Sequence, residues 1–163
     1  MTSTDKLVAN AGRYPEIYST DVRSPRPETG VAVVTCMDAR IDVHSLFGLQ
    51  LGDAHIIRNA GGLVTDDVVR SLAISQRFLG TTEIILAHHT NCGMEGLDDE
   101  ELATALERET GSRPPWRAGG FADPVADVRA SLKRVREDPF IPSRDQVRGF
   151  VFDVITGRLE EVA

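Results

Sequence analysis

Cys36 and Cys92 are the only cysteines among 163 residues, and each stands where a hydrophobic run gives out: Val31-Ala-Val-Val-Thr-Cys36 and Ile84-Ile-Leu-Ala-His-His89-Thr-Asn-Cys92. Two thiolates and the imidazole of His89 supply three soft or borderline ligands, a donor set that suits zinc and leaves one tetrahedral position open. A structural zinc site is usually closed by four protein ligands, and the chain holds no second Cys-x-x-Cys pair to complete a ribbon or finger. The missing ligand therefore argues for bound water or substrate, and the pattern reads as a zinc enzyme. Immediately past the first ligand, Cys36-Met-Asp38-Ala-Arg40 sets a carboxylate and a cation two residues apart. The bland alternatives are two small buried hydrophobes, a surface ion pair of little energetic value, or a disulfide. In a cytosolic setting paired cysteines are more often metal ligands or redox groups.

The elements that must carry these groups follow from hydrophobic spacing. Residues 31–35 form an apolar, largely β-branched run, the pattern of a strand buried on both faces of a parallel sheet. Residues 41–47 place apolar side chains at helical intervals, Gly52-Asp53 breaks them, and Ala54-His-Ile-Ile-Arg58 reads as a second strand. The turn Asn59-Ala-Gly-Gly62 precedes a helix capped by Thr65 or Asp66. That helix carries a stripe of Val68, Val69, Leu72, Ala73, Gln76 and Phe78-Leu79, and ends at Gly80. A third strand spans residues 83–88. Helices are expected over 97–109, with acidic residues in its first turn, and over 123–135, with Pro124 at a first-turn position. A final strand over 149–155 turns at Thr156-Gly157, and residues 158–162 pair back as a hairpin.

The order predicts a single α/β domain: a mainly parallel central β-sheet flanked by helices, with an N-terminal helical arm and a C-terminal strand and hairpin. Residues 1–30 form the arm and linker, the linker marked by Ser24-Pro-Arg-Pro-Glu-Thr-Gly30, and residues 31–163 the zinc-binding domain. In parallel α/β sheets sites gather at the carboxyl ends of strands. Cys36, Asn59 and the His89-Thr-Asn-Cys92 segment all fall there. Of the other histidines, His88 points opposite to its neighbour His89 and suits packing, His55 is structural, and His44 lies on a solvated helix face or passes protons at the mouth of the site.

A length of 163 residues with 41% hydrophobic content supports one core. With 18 Lys plus Arg against 25 Asp plus Glu, the net charge of −7 disfavours nucleic acid or an anionic membrane as partner. The first residues lack a basic stretch followed by an apolar core, and no run approaches the roughly 18 apolar residues that span a bilayer. A cytoplasmic location is expected.

The two motifs, Cys36-x-Asp38-x-Arg40 and His89-x-x-Cys92, in this order with about fifty residues between them, resemble the β-class carbonic anhydrases. The resemblance extends through Arg58-Asn-Ala-Gly-Gly62, the helix bearing Arg70-Ser71 and the closing hairpin, and the short length is similar to the compact branch of the family. It implies zinc-dependent, reversible hydration of carbon dioxide to bicarbonate and a proton, with Cys36, His89 and Cys92 as metal ligands and Asp38 and Arg40 as the catalytic dyad. Asp38 would orient the zinc-bound nucleophile while Arg40 holds it ionised, and Asp38 could swing onto the metal as a fourth ligand in a closed state. Two thiolates cancel the charge of the ion, so its water should ionise above the value of about 7 known for a three-histidine site, and activity should rise toward alkaline pH. The resemblance further implies a homodimer, or a dimer of dimers, with the site near the interface and the arm strapped across the partner. Other readings on the same residues are a hydrolase of carbonyl sulfide or carbon disulfide and a non-catalytic zinc-binding or sensing homologue. A dithiol redox protein is disfavoured by the distance between the cysteines in sequence.

Overall fold

The computed structural model describes residues 1–16, 18 and 24–162. Its centre is a five-stranded sheet in the order β2-β1-β3-β4-β5. Strands β1 (Val31–Cys36), β2 (Ala54–Asn59), β3 (Glu83–His89) and β4 (Val147–Phe152) run parallel, and β5 (Leu159–Val162) returns antiparallel on β4. The parallel α/β expectation is borne out. Five of the six β1 residues are buried, because the strand is central and apolar side chains cover both of its faces.

Those faces build two cores. On one side Ala32 and Val34 of β1 and Ile84 and Leu86 of β3 pack against helices α3 (Asp66–Leu79) and α5 (Pro124–Glu137) through Val68, Leu72, Val128, Leu132 and Val135. On the other side Val33 gathers with Ile41, Val43, Cys36 and Cys92. The helices start where the local chemistry directs. Thr65 caps α3 by accepting from Val68 N, and Asp123 caps α5 by accepting from Val125 N and Ala126 N, with Pro124 in the first turn where no amide proton is missed. Asp42 caps the short helix α2 (Val43–Phe47), which is why helix begins two residues after the buried Ile41.

One part of the expected stripe on α3 is corrected. Val68, Val69, Leu72 and Ser75 are buried, whereas Phe78 is 70% exposed. Ten residues past Val68, at about 100° per residue, Phe78 lies about 80° off the buried line. Helix α1 (Ser3–Arg13) opens on a capping box between Thr2 and Asp5 but buries no residue, so Leu7 and Val8 stay exposed. Part of the expected arm, residues 17 and 19–23, lies outside the described residues, as does Ala163. Helix α4 (Asp99–Thr110) is capped by Asp98 and likewise has no buried residue. Among the described residues, no helix is long and apolar enough to cross a membrane.

Candidate metal centre

β1 and β3 are hydrogen-bonded neighbours, with Thr35 opposite Ala87, so the strand ends bring Cys36 and the His89 to Cys92 turn together although 56 residues separate the cysteines. Cys36, His89 and Cys92 are all buried, and their ligand atoms lie within 4.8 Å of one another. The two sulfurs are 3.9 Å apart. Two sulfurs each about 2.3 Å from one ion at the tetrahedral angle would stand about 3.8 Å apart, whereas a disulfide needs about 2.05 Å. The spacing fits a shared metal and not a bond.

The imidazole is prepared for the same task. His89 Nδ1 donates to the Thr90 carbonyl at 3.0 Å, which places the proton on that nitrogen and leaves the Nε2 lone pair free. Nε2 is buried and has no hydrogen-bond partner. Burial lowers the pKa of His89, favouring the neutral form that ligates. Burial also pushes the Cys92 thiol up, with the neighbouring Cys36 adding to the effect and a hydrogen bond from the Met94 amide opposing it. An orphaned imidazole nitrogen facing two buried thiols is a donor set that a divalent soft cation would relieve.

Asp38 stands beside this cluster. Arg40 grips it through Nε to Oδ1 at 2.9 Å and a second guanidinium nitrogen to Oδ2 at 2.7 Å, and the Arg40 amide also donates to Oδ1 at 2.9 Å. These bonds, led by the side chain of Arg40, hold the Asp38 carboxyl well below the usual carboxylate range. Asp38 Oδ2 is 3.8 Å from His89 Nε2, so the carboxylate borders the ligands without joining their cluster. The same nitrogen of Arg40 reaches the Asn91 carbonyl at 2.8 Å, tying the first motif to the second. Asn91 has φ 53°, the left-handed conformation that asparagine tolerates better than most residues, and that turn presents its carbonyl to Arg40.

The remaining histidines do not enter the cluster. His88 is fully buried and directed toward α5, its Nδ1 3.0 Å from Asp127 Oδ2. His55 is bonded through its two nitrogens to Ser75 Oγ and the Pro25 carbonyl, which ties the segment before β1 to α3. His44 is exposed, with Nδ1 3.4 Å from the Leu49 carbonyl. Three features escaped sequence reasoning: the Asn91 carbonyl, the Asp127 partner of His88, and the contacts of Arg58 with the first motif. Only the glycines after Arg58 hinted that this segment approaches another backbone closely. A Cβ at Gly62, whose φ is +72°, would lie 2.9 Å from Cys36 N and 3.0 Å from the Thr35 carbonyl carbon.

The fold and the cluster together define an α/β protein with a Cys-His-Cys cluster able to bind a metal and an adjoining Asp–Arg pair at the carboxyl edge of its sheet. A family model described as carbonic anhydrase matches residues 31–112. Over 162 residues the chain is 51% identical to beta-carbonic anhydrase 1 of Mycobacterium tuberculosis, covering 99% of each. The crystal structure of the carbonic anhydrase of Streptococcus mutans superposes with a TM-score of 0.91 at 40% identity, covering 100% of this chain and 99% of the other. Carbon disulfide hydrolase from an Acidianus species is more distant, 34% identical over 154 residues, 79% of this chain and 75% of that one. The chain belongs to the β-class carbonic anhydrase family.

Proposed function

We propose that this protein catalyses the zinc-dependent, reversible hydration of carbon dioxide to bicarbonate and a proton, with Cys36, His89 and Cys92 as the metal ligands. The observation that carries the reading is the tetrahedral-sized convergence of two sulfurs 3.9 Å apart and a free imidazole nitrogen beside a carboxylate locked by arginine. Zinc held there would supply Lewis acidity and a water-derived nucleophile at a pH far below that at which bulk water ionises. Asp38 acts as the orienting acceptor: its ionised carboxylate takes a hydrogen bond from the reacting water and fixes where that oxygen's lone pair points. Arg40 keeps Asp38 ionised and holds it off the ligand cluster, which favours an open fourth position over the closed arrangement. Ile41, Val43 and Met94 pack with the two cysteines, an apolar surround that suits a substrate with no polar group to grip.

Residues 31–163 form the catalytic domain, and residues 1–30 an arm. The exposed Leu7 and Val8 on α1 support its use as a strap over a second copy, giving a homodimer, or a dimer of dimers, with the metal centre near the interface. We place the protein in the cytoplasm, where thiols stay reduced and available to metal.

Stopped-flow carbon dioxide hydration, measured at neutral and mildly alkaline pH on reduced protein with zinc quantified in the same sample, tests the reading. Turnover rising with pH at one zinc per chain is expected. Full zinc without turnover, but with sulfide release from carbonyl sulfide or carbon disulfide, would assign the site to sulfur substrates. Full zinc and no turnover of either kind would assign a non-catalytic role.

A further inference from the structure

We propose that Arg58 is a positioning residue that fixes the turn carrying Cys36 and Asp38, an inference that rests on the carbonic anhydrase reading of the site. Arg58 lies on β2 opposite Thr35 of β1, and Asn59 lies opposite Cys36, so the two strands leave the sheet side by side. Beyond that edge the regular ladder ends, yet the first motif is still held at three consecutive residues. Arg58 Nε donates to the Cys36 carbonyl at 2.9 Å, the Met37 amide donates to the Asn59 carbonyl at 2.8 Å, and a terminal guanidinium nitrogen of Arg58 donates to the Asp38 carbonyl at 2.7 Å.

The chemistry of the guanidinium explains why arginine serves here. Its planar fork presents N–H donors at fixed spacing, so one side chain satisfies two carbonyls two residues apart, where an ammonium offers a single point of charge. Fixing the carbonyls of Cys36 and Asp38 fixes the peptide planes from which the thiolate and the carboxylate project. Arg40 then acts on the side chain of Asp38, while Arg58 acts only on backbone. The arrangement is an outer-shell support of the kind whose removal costs metal affinity or activity about ten- to a hundredfold. Arg58 itself is exposed and touches none of the ligand atoms, so its effect is exerted through the turn.

The test compares Arg58→Ala and Arg58→Lys with wild type by zinc competition against a chromogenic chelator, by the thiolate-to-metal absorption of the cobalt(II)-substituted protein, and by kcat and KM for carbon dioxide. For Arg58→Ala, zinc affinity and kcat should each fall about tenfold or more at unchanged KM, and the cobalt spectrum should shift. Arg58→Lys should recover only part of the loss, and added guanidinium, with urea as control, should restore Arg58→Ala while leaving wild type unchanged. Wild-type zinc competition and spectrum in Arg58→Ala would overturn the proposal. So would full recovery by Arg58→Lys, which also decides the matter if Arg58→Ala fails to fold. A wild-type protein that binds zinc but does not hydrate carbon dioxide would refute the catalytic reading alone, because the competition and cobalt measurements judge Arg58 without turnover.

Discussion

Replacing Gly62 by alanine probes the tightest approach near the metal centre. The position has φ +72°, and an added Cβ would meet Cys36 N at 2.9 Å, the Thr35 carbonyl carbon at 3.0 Å and Thr35 Cα at 3.3 Å. All three atoms are backbone of the central strand β1, so no flexible side chain can yield. Gly157, in the turn between β4 and β5, has the same φ of +72° with nothing within 4 Å of the corresponding Cβ. The two substitutions therefore share the left-handed backbone penalty, about 1–2 kcal/mol for a residue with a side chain. They differ in the clash, for which overpacking a rigid neighbourhood costs typically about 1–3 kcal/mol. At about 2–4 °C per kcal/mol for a chain of this size, Gly62→Ala should melt roughly 2–12 °C below Gly157→Ala. Thermal melts of the zinc-loaded proteins supply the comparison. Chelator competition supplies a second readout, because relief of the clash must move Cys36, and zinc should bind more weakly in Gly62→Ala alone. Equal melting temperatures in the two variants would refute the reasoning.

Other perturbations separate the roles of the remaining groups. Cys36→Ser, His89→Ala and Cys92→Ser should each lose zinc by elemental analysis, whereas Asp38→Asn should retain it and lose most turnover; zinc-dependent activity surviving in Cys92→Ser would sink the ligand assignment. Because burial raises the pKa of the Cys92 thiol, the metal-free protein carries a proton there at neutral pH that binding must expel, so zinc affinity should fall about tenfold per pH unit for each proton released as pH is lowered. Pulling pH-independent affinities from metal titrations between mildly acidic and neutral conditions would contradict this. Asn91→Gly should preserve stability, while Asn91→Val should cost about 1–2 kcal/mol by denaturant melts, since a β-branched side chain resists the φ of 53°. Asp127→Ala removes the oxygen 3.0 Å from Nδ1 of the fully buried His88, a contact without hydrogen-bond geometry, and should cost no more than about 1 kcal/mol; a loss of several kcal/mol by denaturant melts would contradict this.

The first three strands were legible because their signal is local, apolar and largely β-branched runs, which set β1, β2 and β3 each to within one residue, whereas the last was expected over 149–155 and lies at Val147–Phe152. The three candidate ligands were legible because their types are scarce and their spacing belongs to two short motifs. What sequence hid depends on contacts between segments far apart in the chain. The acidic run at the start of α4 reads as a solvated helix start, correct for Asp98 as the cap. Its neighbour Asp99 instead accepts from the amides of Gly119 and Gly120 and from Arg117, anchoring a loop 20 residues away. Nothing in the spacing of acids announces that turn inward. Likewise Asp127 on α5 meets His88 only because α5 packs across β3, and the fork of Arg58 finds its carbonyls only once β2 lies against β1. Phe78 shows the limit of stripe reading, since an apolar residue one step off the buried line is left in solvent.

The neighbouring placement of β1 and β3 also orders events during synthesis of the chain. Cys36 emerges first, but its partners His89 and Cys92 lie more than fifty residues later, and the sulfurs meet only when the third strand has docked beside the first. The segment up to β2 thus holds one of the three candidate ligands, Cys36. The complete three-ligand set therefore exists only once β1 and β3 are neighbours, and metal held by all three ligands adds its binding energy to that strand pairing.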